Sequence, residues 1–247
     1  MRGIHTRRTD RSAVGDVQRS LNATLVVAAF YVLWAVRYLS RHSPADLGLV
    51  GRHWLAQGHG SSKAIDALAP HAGGTVGYDG QFNVFLALDL RHAHRYIDEP
   101  AYRSSRILAS MLARVVGAGQ PAAIPTALLV VNIAAVLAGT FALALLLRWH
   151  RLSEWFALLY GCSPALFVAV DRDLNEPVAY ALVVGGMLAF DRGRMVPAAS
   201  LLGLAGVARE TTLLFPLALT IALLLGLGIE RAGALREIGR ASCRERV

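Results

Sequence analysis

Long apolar runs alternate with short polar clips along this chain, and the runs predict its helices. Residues 126–147 and 211–229 hold no charged side chain. A helix needs about 20 apolar residues to cross the hydrocarbon of a bilayer, within a range of roughly 17 to 25. Residues 21–36 are shorter, but Arg37 extends the run by snorkelling. Residues 155–170 lie between Glu154 and Asp171, and residues 177–190 and 195–208 complete the set. The expected fold is all-α: a polytopic transmembrane bundle with about six spans. The first run follows a basic segment, as a signal peptide does. No small-residue cleavage site follows Val36, so it reads as a retained helix.

Charge then sets the orientation. The 247 residues are 55% hydrophobic and only 17% charged, with positive mean hydropathy and a formal charge of +8. Soluble domains carry about 25% charged residues. Residues 1–20 form a basic tail with Arg2, Arg7, Arg8, Arg11 and Arg19, and Arg148, Arg151, Arg192 and Arg194 stand in later clips. Alternating helices put these on one side, which the positive-inside rule makes cytoplasmic. The other side receives a long loop, residues 39–125, and two short turns near 171–176 and 209–210. The charge is therefore topological, and no interleaving of basic and aromatic residues points to nucleic acid. Cys162 and Cys243 form no disulfide framework.

Residues 237–247 read EIGRASCRERV. The string looks like one reading frame of a sequencing adapter and is set aside from fold reasoning. On that reading the gene is cut near Arg236, and residues 21–236 are the N-terminal part of a longer transmembrane domain.

The long loop has its own punctuation. Ser43-Pro44-Ala45-Asp46 opens a helical stretch, with Leu47, Leu49, Val50, Trp54 and Leu55 for one face, and residues 58–62 break it. Gly73, Gly74 and Gly77 lead into Tyr78-Asp79-Gly80-Gln81-Phe82, followed by an apolar stretch at 84–90. Asp98-Glu99-Pro100 starts a second amphipathic helix, with Ile107, Leu108, Met111, Leu112, Val115 and Val116 at helical spacing. Amphipathic helices beside spanning segments lie in the interface plane.

Three polar clusters share the non-cytoplasmic side. Around Asp79, glycine permits a close backbone approach to a ligand; the alternative is a simple Asp-Gly turn. In Asp171-Arg172-Asp173-Leu174-Asn175-Glu176-Pro177, two aspartates spaced by one residue can chelate Mg²⁺ or Mn²⁺. The alternative is a solvated loop with an internal Asp–Arg pair. In Ala208-Arg209-Glu210-Thr211, Arg209 is shaped to hold a phosphate, or else pairs locally with Glu210. The five histidines from His53 to His94 match no zinc spacing and read as loop residues. There is no P-loop, Gly-x-Ser-x-Gly, Cys-x-x-Cys or dinucleotide fingerprint.

These clusters, in this order, resemble the C-type (GT-C) glycosyltransferase superfamily, polytopic enzymes that use polyprenyl-phosphate-linked sugars. Within it the chain is similar to bacterial membrane proteins associated with cell-surface glycopolymers. The resembling strings are Gly77-Tyr78-Asp79-Gly80-Gln81-Phe82, Asp98-Glu99-Pro100-Ala101-Tyr102-Arg103 with Arg106-Ile107-Leu108, Arg172-Asp173-Leu174-Asn175-Glu176-Pro177 and Ala208-Arg209-Glu210-Thr211. They span most of residues 20–230. Asn83 and Val84 stand where that pattern has an aromatic or basic residue.

The resemblance implies a multi-pass protein of the bacterial inner membrane with a cytoplasmic N-terminus. It would transfer a sugar from the lipid-linked donor to a glycan or lipid acceptor outside the cytoplasm. Asp79 would be the catalytic carboxylate, acting as general base or orienting the acceptor hydroxyl. Asp171 and Asp173 would bind a divalent cation. Arg209, Arg103 and Arg106 would hold the lipid phosphate, with Glu176, Glu210, Tyr78 and Gln81 completing the substrate site. The rival class is a non-catalytic membrane protein, a glycolipid flippase or an assembly partner in glycan export.

Overall fold

The computed structural model describes residues 4–225, with side chains from residue 17. Arg2, the side chains of Arg7, Arg8 and Arg11, and the 237–247 segment with Cys243 lie outside that description. The described residues are helical, without strands; one isolated bridge joins Gly51 to Gly74.

Two long helices form the frame: α1 (Ile4–Leu39), and a 26-residue helix (Ile124–Trp149) that becomes α7 in chain order. Between them lie α2 (Arg52–Gly58), α3 (Lys63–Asp66), α4 (Gly80–Leu88), α5 (Pro100–Ser105) and α6 (Leu108–Val116). After α7 come α8 (Leu158–Gly161), α9 (Pro164–Asp171), α10 (Glu176–Asp191), α11 (Met195–Ala208) and α12 (Leu214–Leu224). α7 packs on α1, α6 and α10, and α10 packs on α11.

Two stretches, Val17–Leu39 and Pro121–Trp149, are long and apolar enough to cross a membrane. The others are shorter. At about 1.5 Å rise per residue, the 16 residues of α10 reach ~24 Å and the 14 of α11 ~21 Å, against ~30 Å of hydrocarbon. The run expected at 155–170 is not one helix. Pro164 has no N–H to continue the ladder from α8. Ser163 instead caps α9, its Oγ accepting from the Leu166 N–H at 3.3 Å. Several apolar side chains on α1 stay more than half exposed, among them Leu25, Val32, Leu33 and Val36. Such a surface needs a lipid or protein neighbour.

The loop 39–125 folds into a packed cap over one end of the helices. Its centre is α4, whose nine residues are all buried. Phe82 meets Trp54 edge-on at 5.5 Å, and Phe85 lies 6.0 Å from Tyr96. The stretch opened by Ser43 is not a single amphipathic helix. Ser43 and Asp46 form a capping box on one 3₁₀ turn, and Leu49 at φ 45° then turns the chain before α2. The helix expected from Pro100 likewise splits, into α5 and α6. On α6 the small residues Ala109, Ser110 and Ala113 face inward, while Leu112, Val115 and Val116 stand exposed. At the other end of the bundle, His150 Nε2 lies 3.2 Å from Asp191 and Arg192 stacks over Trp149 at 4.9 Å. The α7–α8 and α10–α11 turns therefore share that end.

Candidate functional site

Four segments far apart in sequence meet at the cap end, around a cavity of ≈ 140 Å³. Its lining includes Tyr78, Asp79, Phe82 and Asn83 from the start of α4, Arg103 and Arg106 from α5 and its end, Glu176 from the start of α10, and Arg209.

Local geometry explains the meeting. Asp79 sits in helical conformation as the residue before α4, so the Asp-Gly pair starts a helix rather than closing a turn. Asp79, Phe82, Asn83 and Leu86 then fall at helical spacing on one face, and that face lines the cavity. Gly80 lets α4 lie against the 171–176 turn, because a Cβ there would collide with the Arg172 carbonyl. The Asn83 side chain donates to the Asp173 carbonyl at 2.7 Å and locks the two segments together.

Each arginine meets a carboxylate. Arg103 forks onto Asp98, through Nε at 2.8 Å and Nη2 at 2.9 Å, and reaches Asp79 Oδ1 at 3.1 Å. Its guanidinium lies 4.4 Å over the Phe82 ring. Arg106 donates through Nε to Glu210 at 2.6 Å, makes a second contact to the same carboxylate, and also meets the Tyr102 hydroxyl. Arg209 pairs with Glu176 and donates to Thr211 Oγ1 at 3.1 Å. The Arg103 hydrogen bonds hold the Asp98 carboxyl below the usual carboxylate range. Arg106 does the same for Glu210, and both guanidinium groups are raised by their partners. The N-termini of α4 and α10 also point at this region, where helix dipoles favour negative charge.

Other expected residues lie elsewhere. Gln81 is buried and bridges backbone: Oε1 accepts from the Gly51 N–H at 2.8 Å and Nε2 donates to the Val76 carbonyl at 2.9 Å. It does not line the cavity. Neither do Asp171 and Asp173. The Asp171 carboxylate pairs with Arg172 at 2.5 Å, and burial pushes its carboxyl up. Asp173 is fully buried, and both carboxylate oxygens lack a partner. Burial first, and Asp171 second, raise its carboxyl well above the usual range. A divalent cation needs ionised oxygen ligands with an open side. A carboxylate paired with arginine beside one that is fully enclosed offers no such open side, and the pair does not fit a cation as it stands. Among the described residues no three His, Cys, Asp or Glu side chains gather as ligands.

Asp98, Phe82, Asn83 and Asn175 were not read from sequence as site residues. The i, i+3, i+4, i+7 series from Asp79 carried the signal for Phe82 and Asn83, once 80–88 is taken as helix. Comparison with protein-family models, with curated proteins and with solved structures returns no match. The functional reading therefore rests on the chemistry of the cavity.

Proposed function

We propose that the chain is a multi-pass protein of a bacterial inner membrane, and that its cavity binds the phosphate of a polyprenyl-phosphate-linked sugar for transfer to a glycan or lipid acceptor. The observation that carries this is the convergence of Asp79, Arg103, Arg106, Glu176 and Arg209 on one cavity from four separate parts of the sequence. Three arginines and two helix N-termini favour an anion. Water occupies ≈ 30 Å³ per molecule in the liquid, so ≈ 140 Å³ suits a phosphate group with the sugar beyond it.

Six crossings, with the N-terminus cytoplasmic, agree with the turns at the two ends. The cap, the 171–176 turn and Arg209 share one end, and Trp149, His150, Asp191 and Arg192 the other. Short helices such as α10 and α11 are accommodated by local thinning of the bilayer. The exposed apolar edge of α6 suits the interface plane.

In the proposed reaction, the acceptor hydroxyl gives its proton to Asp79 as its oxygen bonds to the anomeric carbon. The bond from that carbon to the phosphate oxygen breaks, and its electron pair leaves with the phosphate. Arg209, Arg103 and Arg106 stabilise that charge once the phosphate displaces their carboxylate partners. No step is routed through a metal ion.

The test is Asp79→Asn in the intact protein in membranes, assayed for sugar transfer from a lipid-linked donor. Loss of about a hundredfold or more fits a general base; full activity removes Asp79 from the mechanism. A non-catalytic role, in flipping or glycan export, is favoured by one observation: every arginine of the cavity already has a carboxylate partner. Release of free polyprenyl phosphate separates the two, since a carrier releases none.

A further inference from the structure

A second, open cavity of ≈ 430 Å³ lies on another side of α4, between residues 43–45 and 64–71 of the cap and the head of α7. Leu86 of α4 lines the first cavity and Leu88 the second. Residues two apart on a helix point to nearly opposite faces. The helix therefore separates the two spaces, and a ligand in one does not reach the reacting atoms of the other.

The lining of the second cavity is unlike that of the first. Its walls are alanine, proline and leucine, and no arginine or lysine is among them. The polar side chains are Ser43, Thr126 and His71. His71 is held in place: its Nδ1 lies 2.9 Å from Asp46 Oδ1. Asp46 is fixed in turn, because its Oδ2 accepts from the Ser43 N–H at 2.8 Å. A carboxylate only accepts, so Nδ1 carries the hydrogen; of the two neutral tautomers, this is the one that leaves Nε2 as an acceptor. In that tautomer the dyad offers one hydrogen-bond acceptor at an apolar cavity. The volume falls within the ≈ 300–1,000 Å³ of small-molecule sites.

We infer that this cavity is a second binding site, for a neutral long-chain alcohol whose hydroxyl donates to His71 Nε2 and whose hydrocarbon lies on the alanine and proline walls. The neutral charge follows from the missing cations, which an anionic headgroup would require. The lipid character follows from position and rests on the membrane reading above. Pro125 and Thr126, at the head of the apolar helix α7, form part of the wall. A lipid alcohol at headgroup level meets the dyad there. His71 is a positioning residue, and Asp46 orients it.

The test embeds the full chain in nanodiscs with a photoreactive diazirine analogue of a long-chain primary alcohol, and maps cross-links by mass spectrometry. Cross-links are expected within residues 43–45 and 64–71. Ala67→Trp fills the cavity from an exposed wall position and lowers labelling by about tenfold or more, a change of ~1.4 kcal/mol in binding. Asp46→Asn and His71→Ala lower it several-fold. The matching fatty acid and alkyl phosphate label weakly. Equal labelling by the acid or the phosphate overturns the inference, and so does labelling indifferent to Ala67→Trp, which is bilayer partitioning. If His71→Ala lowers the melting temperature, Ala67→Trp decides alone. Arg209→Ala leaves alcohol labelling unchanged while weakening the donor site, so each reading fails separately.

Discussion

Asp173 stands at φ 50° with a carboxylate that meets neither partner nor solvent. A carboxyl whose folded value is raised binds more protons folded than unfolded. Its penalty is absent below about pH 4 and grows as pH rises from there toward the raised value. Asp173→Asn keeps the shape, tolerates the left-handed backbone and removes the charge. The expected outcome is a melting temperature near pH 7 higher by about 3 °C, with no gain near pH 4. An unchanged or lower value at pH 7 contradicts a protonated, enclosed carboxyl. Gly80 makes the opposite case. Its α-hydrogen faces the Arg172 carbonyl, which is backbone and cannot swing aside. Gly80→Ala is expected to cost roughly 1–3 kcal/mol in thermal unfolding. A stable variant would mean that α4 does not lie against this turn.

Among elements, the ion pairs fasten α5 to the turn after α11, and that turn to the start of α10. Asp98 and Glu210 have folded values held down by Arg103 and Arg106. Their contribution is complete above the unfolded value near pH 4 and fades as pH falls below it. Arg106→Glu alone should destabilise the protein, and the swap with Glu210→Arg should recover part of the loss. The coupling in a double-mutant cycle is about 1 kcal/mol or less, because Glu210 is partly exposed. Additive effects would show that the pair fastens nothing. The same elements mark where sequence reading stopped. Apolar runs located α7, α10 and α11 closely, since continuous hydrophobicity needs no partner to be read. The break at Ser163-Pro164 follows from a single cap that an apolar run hides, and the split at Arg106 falls where that residue turns to Glu210.

For the whole molecule, the proposed alternation of helices across a membrane is directly measurable. With Cys162 and Cys243 replaced by serine, His59→Cys in the cap and Arg194→Cys at the opposite end should label with a membrane-impermeant thiol reagent from opposite sides. Labelling of both from the same side refutes the alternating arrangement. The sequence by itself determined that the chain is helical, that its apolar runs seek a lipid or protein neighbour, and that its acids and arginines fall in three clusters. Those properties follow from local composition and periodicity. Tertiary structure alone decided which members of the clusters meet. Asp79, Glu176 and Arg209 line one cavity because α4 lies against the 171–176 turn through Gly80. Gln81 turned to the backbone because a helix points adjacent residues in different directions, and Asp173 was enclosed because α4 lies across the turn that carries it. The Asp46–His71 dyad joins residues 25 apart in sequence. No spacing rule encodes that meeting, which exists only once the cap is packed.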